Sequence, residues 1–392
     1  MRPAFAVINK KGKHTQVFPT KEGGTVKQNN GKHWMARIVF GGCVAGLLLT
    51  AGCATISLSG KMEPVTKSEL FLTLPDTCPT PDGQTMDKDG NIIVACPNYG
   101  DMSKPAVFMK IDKQNKLSLY ATCPILDKTG RACPMGVDFG PDGSLYVADN
   151  QPWPGTEEGK DEGRILKLMI KDGKVEKTEI IAQGMSHPNA VKYYKGQIWV
   201  TQSLLPKIKS EQLVSAVYRF NDNERNVKVN NDESDKSLLV KFKTLNMGCQ
   251  YGLDGMCFDS KGNMFVGNFG DGSLHKVTFD EKGNVTSNEV FVKSKRMRTT
   301  DGICIDADDN IYVADFSENA VCKVTPEGKV IVLARSPDCD GSKGGLDQPG
   351  EPIVRGKELI ISNFDMVTGP DKVNTKHDKP YTMSVIDLNK VN

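Results

Sequence analysis

Histidine is scarce in this 392-residue chain: there are five, and His14 and His33 precede any patterned segment. His187, His275 and His377 are too scattered for a HExxH-type zinc helix, and CxxC, GxSxG and Walker motifs are missing as well. Zinc-hydrolase, serine-hydrolase and P-loop chemistry therefore lack their usual carriers. Charge of one sign is also lacking. The 50 basic and 48 acidic side chains leave +2, and the basic ones are dispersed, so there is no footprint of a nucleic-acid reader. The apolar run 38–49 falls short of the roughly 20 residues of a membrane span. What the chain has in quantity is glycine, 38 residues, mostly in short turns. That favours an all-β protein over a helical one.

The short apolar run follows Arg37 and ends in Ala51-Gly52-Cys53, the grammar of a signal peptide. Leu49-Thr50-Ala51-Gly52-Cys53 resembles a bacterial lipobox, with Thr50 where Leu is usual, and this implies Cys53 as the lipidated first residue of the mature chain. A cleaved secreted protein and an uncleaved anchor are the alternatives. Residues 1–34 are patternless, and Met35 offers an alternative start of translation. The expected organisation is a leader over 1–52, a linker over 53–68 and a folded domain over 69–392. The expected location is the bacterial cell envelope, lipid-anchored on the periplasmic face of a membrane, or outside the cell. Such a compartment is oxidising. Eleven cysteines less Cys43 and Cys53 leave nine, an odd number, so at least one thiol stays unpaired. Cys123 and Cys133, flanking a short loop, are the first candidates for a disulfide. Cys257 and Cys304 read as small buried hydrophobes.

Residues 253–277, LDGMCFDSKGNMFVGNFGDGSLHKV, read as strand, turn, strand, loop, strand, and the same grammar returns at 300–324. Aligned on the turn, six hairpins emerge, starting at Asp82, Met135, Asn189, Asp254, Asp301 and Glu351. Their Asp-Gly, Lys-Gly and Asp-Asn tips suit the positive φ of tight turns. A third strand follows each (VFMKID, RILKLM, AVYRFN, SLHKVT, AVCKVT, TMSVID), and most have a fourth. Four strands in six units predict a six-bladed β-propeller. The last unit shows three strands, and ELFLTL, residues 69–74, stands spare before the first. It is expected to complete the sixth blade and close the ring, hiding the sheet edges. Longer insertions around 153–163, 204–214 and 341–350 are expected to rim a binding site.

The residues that open the inner strands should meet at the channel: Asp82, Met135, Asn189, Asp254, Asp301 and Glu351. Five of these side chains offer oxygen, and the four carboxylates would repel if uncompensated. A hard divalent cation is the simplest remedy, Ca²⁺ above all. Mg²⁺, Mn²⁺ and Zn²⁺ are alternatives, Zn²⁺ the weakest for an all-oxygen shell. Asp-Gly is also ordinary turn chemistry, so the inference rests on the recurrence in phase.

These hairpins, above all LDGMCFDSKGNMFV and TDGICIDADDNIYVADF, resemble the senescence-marker-protein/gluconolactonase family of six-bladed propellers over about residues 70–391. The resemblance implies a metal-dependent hydrolase that opens a lactone. Its Glu, Asn and Asp metal ligands map onto Glu351 in Gly-Glu-Pro, Asn189 in Pro-Asn-Ala and Asp254 in Leu-Asp-Gly. A set of Asp82, Asn189 and Asp301 is the alternative. Water activated by the metal would attack the carbonyl with Asp254 or Asp301 as general base, and Asp82, Met135 and Asp301 would touch substrate. The chain departs from the family at Met135, where a second Asn is common, and in the added charge of Asp82 and Asp301. The expected partner is a small lactone or related ester, and the expected state a monomer. The rival is a non-catalytic propeller lipoprotein that binds a ligand or protein and keeps the cation for rigidity. A propeller lyase would want a channel His, for which His187 stands nearest in sequence.

Overall fold

The computed structural model describes residues 63–151 and 159–391. The leader, Cys43, Cys53 and part of the 153–163 insertion lie outside the described residues. Among the described residues no helix is long and apolar enough to cross a membrane.

Among the described residues twenty-five strands form six blades, antiparallel throughout except where the short β13 runs parallel to β9. Strand β1 is Glu69–Thr73. Blade 1 holds β2 (Gln84–Met86), β3 (Ile92–Cys96), β4 (Val107–Ile111) and β5 (Leu117–Thr122). Blade 2 holds β6 (Pro134–Phe139), β7 (Leu145–Asp149), β8 (Gly163–Lys171) and β9 (Lys174–Met185). Blade 3 holds β10 (Pro188–Tyr194), β11 (Gln197–Gln202) and β12 (Leu213–Asn221). The two-residue β13 (Val227–Lys228) then returns to pair with β9 as a fifth strand of blade 2, before β14 (Leu238–Thr244) completes blade 3. Blade 4 is β15 (Leu253–Phe258), β16 (Met264–Asn268), β17 (Ser273–Phe279) and β18 (Val285–Lys293). Blade 5 is β19 (Ile303–Ile305), β20 (Ile311–Asp315), β21 (Ala320–Val324) and β22 (Val330–Arg335). Blade 6 is β23 (Pro349–Arg355), β24 (Glu358–Asn363) and β25 (Thr382–Asp387), with β1 as its outer strand.

The hairpin tips explain why the sequence breaks where it does. In Asp-Ser-Lys-Gly-Asn the Asp259 carboxylate accepts from the N–H of Lys261 and of Asn263, and from Asn263 Nδ2. The same Asp-to-Asn clasp recurs at Asp87 and Asn91, Asp280 and Asn284, and Asp306 and Asn310. A side-chain clasp of this kind gives the backbone a turn in place of a continued ladder. Between the tips, the second strands of blades 1, 2, 4 and 5 are buried at every position, because each blade is covered on both faces by its neighbours. The core is accordingly divided into six apolar clusters, one at each blade-to-blade interface. A seventh, mainly aromatic, lies over the channel mouth.

The expected closure is present. Strand β1 pairs antiparallel with β25, from Glu69 opposite Val385 to Thr73 opposite Thr382. Leu74 then plugs the cluster shared by blades 6 and 1, beside Ile92, Met109 and Met383. The expected disulfide is not present. Cys123 and Cys133 are buried free thiols, as are the other cysteines among the described residues or nearly so, and the Cys133 thiol is turned to the Tyr99 hydroxyl instead. Leu74→Ala should cost about 2–4 kcal/mol and lower Tm by several degrees. Leu70→Ala, within β1 and 41% exposed, should change Tm little. Equal effects in a thermal melt would show that β1 does not close the ring.

Candidate functional site

The channel is assembled by one repeated irregularity. In blades 2, 3, 4 and 6 the inner ladder slips at the same point. Pro134, Pro188, Leu253 and Pro349 pair with Asp149, Gln202, Asn268 and Asn363, and the next paired residues are Val137, Val191, Met256 and Pro352. One extra residue is thus accommodated per bulge, and a bulge re-aims a side chain. Its first residue faces the channel and its second abuts the next blade. That second residue is small because there is no room. A Cβ on Gly255 would sit 2.5 Å from the Ile303 nitrogen, and one on Gly302 2.6 Å from the Glu351 Cα. Blades 3 and 6 carry Ala190 and Glu351 there instead, and each uses a hydroxyl bridge. Thr201 Oγ1 accepts from the Ala190 N–H and donates to the Asp254 carbonyl, and Ser362 Oγ does the same between Glu351 and Asp82.

This register moves one expected ring member. Asp82, Met135, Asn189, Asp254 and Asp301 take the channel-facing position and line one cavity of about 810 Å³. In blade 6 that position belongs to Gly350, and Glu351 stands at the second bulge position, outside the cavity lining. Its Oε2 accepts from the Gln84 N–H (3.0 Å) and its Oε1 lies 3.6 Å from Lys192 Nζ. The reason is a single residue. Gly-Glu-Pro has no residue between Glu and Pro, so matching the proline puts glycine on the ring. Asp82 occupies part of the space this leaves, since a Cβ on Gly350 would be 3.0 Å from its Oδ1.

The cavity floor gathers three buried carboxyl groups beside one another. Asn189 Nδ2 donates to Asp254 Oδ2 at 2.7 Å, and the Asp254 and Asp301 carboxyls lie close enough to shift each other's titration in opposite directions. Burial first, and then the neighbouring carboxylates, push Asp82 and Asp301 well above the ordinary range. Burial raises Asp254 to about 7. The channel cation is the half-buried Lys192, kept charged against desolvation mainly by Glu351 and then by Asp138. It serves Glu351, and the Asp82, Asp254 and Asp301 charges have no such partner. Three carboxylates and an amide are the donor type that a hard divalent cation takes, although the oxygens of Asp82, Asp254 and Asp301 do not all come within 4.8 Å of one another in this structure.

The walls were not legible from the ring alone. Phe269, Phe316 and Phe364 follow the second strands of blades 4, 5 and 6 and pack with Met135 and Tyr99 into an apolar shelf. Their sequence signal is a repeated Asn/Asp-Phe after the hairpin, in GNFGDG, ADFSEN and SNFDMV. His187 lines the cavity beside this shelf. Burial lowers its pKa to about 4 and keeps it neutral. Its ring lies 4.8 Å from that of Tyr251 and within 3.3 Å of Asn150 Nδ2. Arg298 and Lys372 stand at the mouth. The rim comes from residues 246–251 and 366–372, not from the insertions at 204–214 and 341–350. Leu205 of the former is instead drawn into the core between blades 2 and 3.

A family model described as a domain of unknown function (DUF7133) matches residues 103–344. No curated protein matches the chain. Among solved structures it is similar to a calcium-binding protein, regucalcin, from Agrobacterium tumefaciens, at 14% identity and a TM-score of 0.51, over 82% of this chain and 94% of that one. A gluconolactonase from Xanthomonas campestris is similar at 12% identity and 0.51, over 81% and 89%. A luciferin-regenerating enzyme is similar at 14% and 0.52, over 82% and 95%. At these identities the likeness establishes the shared propeller fold.

Two outcomes test the geometry. Glu351→Gln should leave divalent-cation binding at the channel intact while lowering Tm, because it strands Lys192, a loss of about 3 kcal/mol or less. Loss of the cation with an unchanged Tm would return Glu351 to the ligand set. In chelator, Asp254→Asn should gain stability over the parent as pH rises from about 4 to about 7, reaching at most roughly 4 kcal/mol. The sign follows from the raised pKa: ionising Asp254 disfavours the metal-free fold above its unfolded value, and Asn never ionises. A pH-independent difference in Tm would contradict this.

Proposed function

The chain belongs to the DUF7133 family, and we propose that it is a metal-dependent hydrolase that opens a lactone or related cyclic ester. The observation that carries this reading is the floor of the cavity, where Asp82, Asp254 and Asp301 lie buried together beside Asn189, with no cationic side chain of their own among the described residues. The gluconolactonase among the solved structures of the same fold supports it.

Asp82, Asn189, Asp254 and Asp301 would hold the cation, Ca²⁺ first among the candidates. Bound there, a divalent cation polarises an ester carbonyl and lowers the pKa of water. Asn189 fixes the Asp254 carboxylate through its Nδ2–H. With the cation bound, Asp301 beside Asp254 would be ionised and placed to accept a proton from the attacking water. The water oxygen bonds to the carbonyl carbon, the ring C–O bond breaks, and the leaving oxygen takes the proton back, giving a hydroxy acid. Phe269, Phe316, Phe364 and Met135 offer an apolar shelf to the substrate ring, and Asp82 a polar edge. Arg298 and Lys372 at the mouth suit a substrate or product with a carboxylate.

Gly350 and Met135 leave two of six ring positions without a side-chain oxygen, which favours a second reading. In it the propeller binds a ligand or protein partner and keeps the cation for rigidity. In either case the Leu49–Cys53 pattern supports an exported chain anchored through Cys53.

The chemistry is tested on a lactone panel with Ca²⁺, Mn²⁺ and Zn²⁺. Asp301→Asn should lower kcat by at least about 100-fold while a stabilising shift with metal persists. No turnover on any lactone, together with that metal-dependent shift, would establish the binding propeller instead.

A further inference from the structure

Blade 6 concentrates a second set of carboxylates away from the channel floor. Asp347 precedes β23, and Asp365 and Asp378 stand at the two ends of the loop between β24 and β25, so two loops of one blade converge. One carboxylate oxygen from each lies within 4.8 Å of the others. Asp347 and Asp365 are each only 2% exposed. Asp365 is held in place, its Oδ1 accepting from Asn374 Nδ2 at 3.3 Å and its Oδ2 from the Asp378 N–H at 3.2 Å. Asp347 Oδ1 is buried without a hydrogen-bond partner. An exposed acidic cluster needs no explanation, but a buried carboxylate oxygen that faces two more carboxylates and no donor does.

Nearby cations do not balance this set. His377 Nδ1 lies 3.4 Å from Asp365 Oδ2, and Lys376 acts on Asp378. Against them, Asp338 and Asp340 add further negative charge around Asp347. Burial, followed by these four neighbouring carboxylates, pushes Asp347 up to about 8.

We propose that Asp347, Asp365 and Asp378 form a second divalent-cation site, separate from the channel, that clamps the 364–380 loop to blade 6. All-oxygen ligands, with the half-buried Asp378 leaving room for water, select Ca²⁺. The consequence for the cavity is direct. Phe364 points to the aromatic shelf, Asp365 turns back with φ 45° toward the clamp, and Met366 to Lys372 then form part of the cavity rim. Cation at this site fixes one wall of the pocket without touching the channel ring, so it stands whether or not the pocket is catalytic.

The test uses the full chain, stripped with chelator and titrated with Ca²⁺ alone by calorimetry, with tryptic cleavage after Lys376 followed in parallel. Asp347→Asn and Asp378→Asn should each remove one Ca²⁺ per chain, or weaken it at least tenfold, and abolish Ca²⁺ protection of Lys376. Asp254→Asn should leave that protection intact, which separates this site from the channel. Asp378 is at the surface, so its variant tests the site even where Asp347→Asn fails to fold. Parent-like stoichiometry and protection in the Asp378 variant, or no Ca²⁺ protection in the parent chain, would overturn the proposal.

Discussion

The close approach of the inner strands around the axis is the constraint on which the rest depends. Gly255 and Gly302 lie so near the next blade that no side chain fits between, and where Ala190 and Glu351 replace glycine, Thr201 and Ser362 bridge the gap by hydrogen bonds. This tightness brings the channel-facing bulge residues together. It makes three aspartates share one buried floor, and their repulsion is the chemical fact of the site. A non-functional channel could have been filled with apolar side chains, as the Met135 position is. Retaining Asp82, Asp254 and Asp301 under burial makes sense when something positive is bound among them.

Most of the fold was legible because it is written in turns. The Asp-to-Asn clasps at Asp87, Asp259 and Asp306 mark the hairpins in the sequence, and their spacing counts the blades. The spare strand before the first hairpin announced the closure with β25. Four of the oxygen-bearing ring positions were legible for the same reason, because an Asp or Asn followed by Gly or Ala at a fixed distance from the turn meets the axis.

What escaped the sequence is what depends on one residue of register or on contacts across blades. Glu351 looked like a ring carboxylate because hairpins were aligned on their tips, and the bulge that decides between Gly350 and Glu351 leaves no mark in composition. Its true partner, Lys192, lies across the channel on blade 3, at a distance in sequence that no motif spans. The aromatic shelf was present as Asn/Asp-Phe in three repeats but is silent until the second strands are seen to end at one mouth. The Asp347, Asp365 and Asp378 cluster unites the loop before β23 with the two ends of the loop between β24 and β25, and has no spacing of its own.

The central claim is that the channel cation is held without Glu351, with Asp82 reaching into the space that Gly350 leaves. The most direct measurement is an anomalous difference map from crystals of the protein loaded with Mn²⁺ in place of Ca²⁺. The account predicts a channel peak bounded by Asp82, Asn189, Asp254 and Asp301, with Lys192 still against Glu351. A channel peak bound to the Glu351 carboxylate, or a channel without any peak at saturating metal, would contradict it.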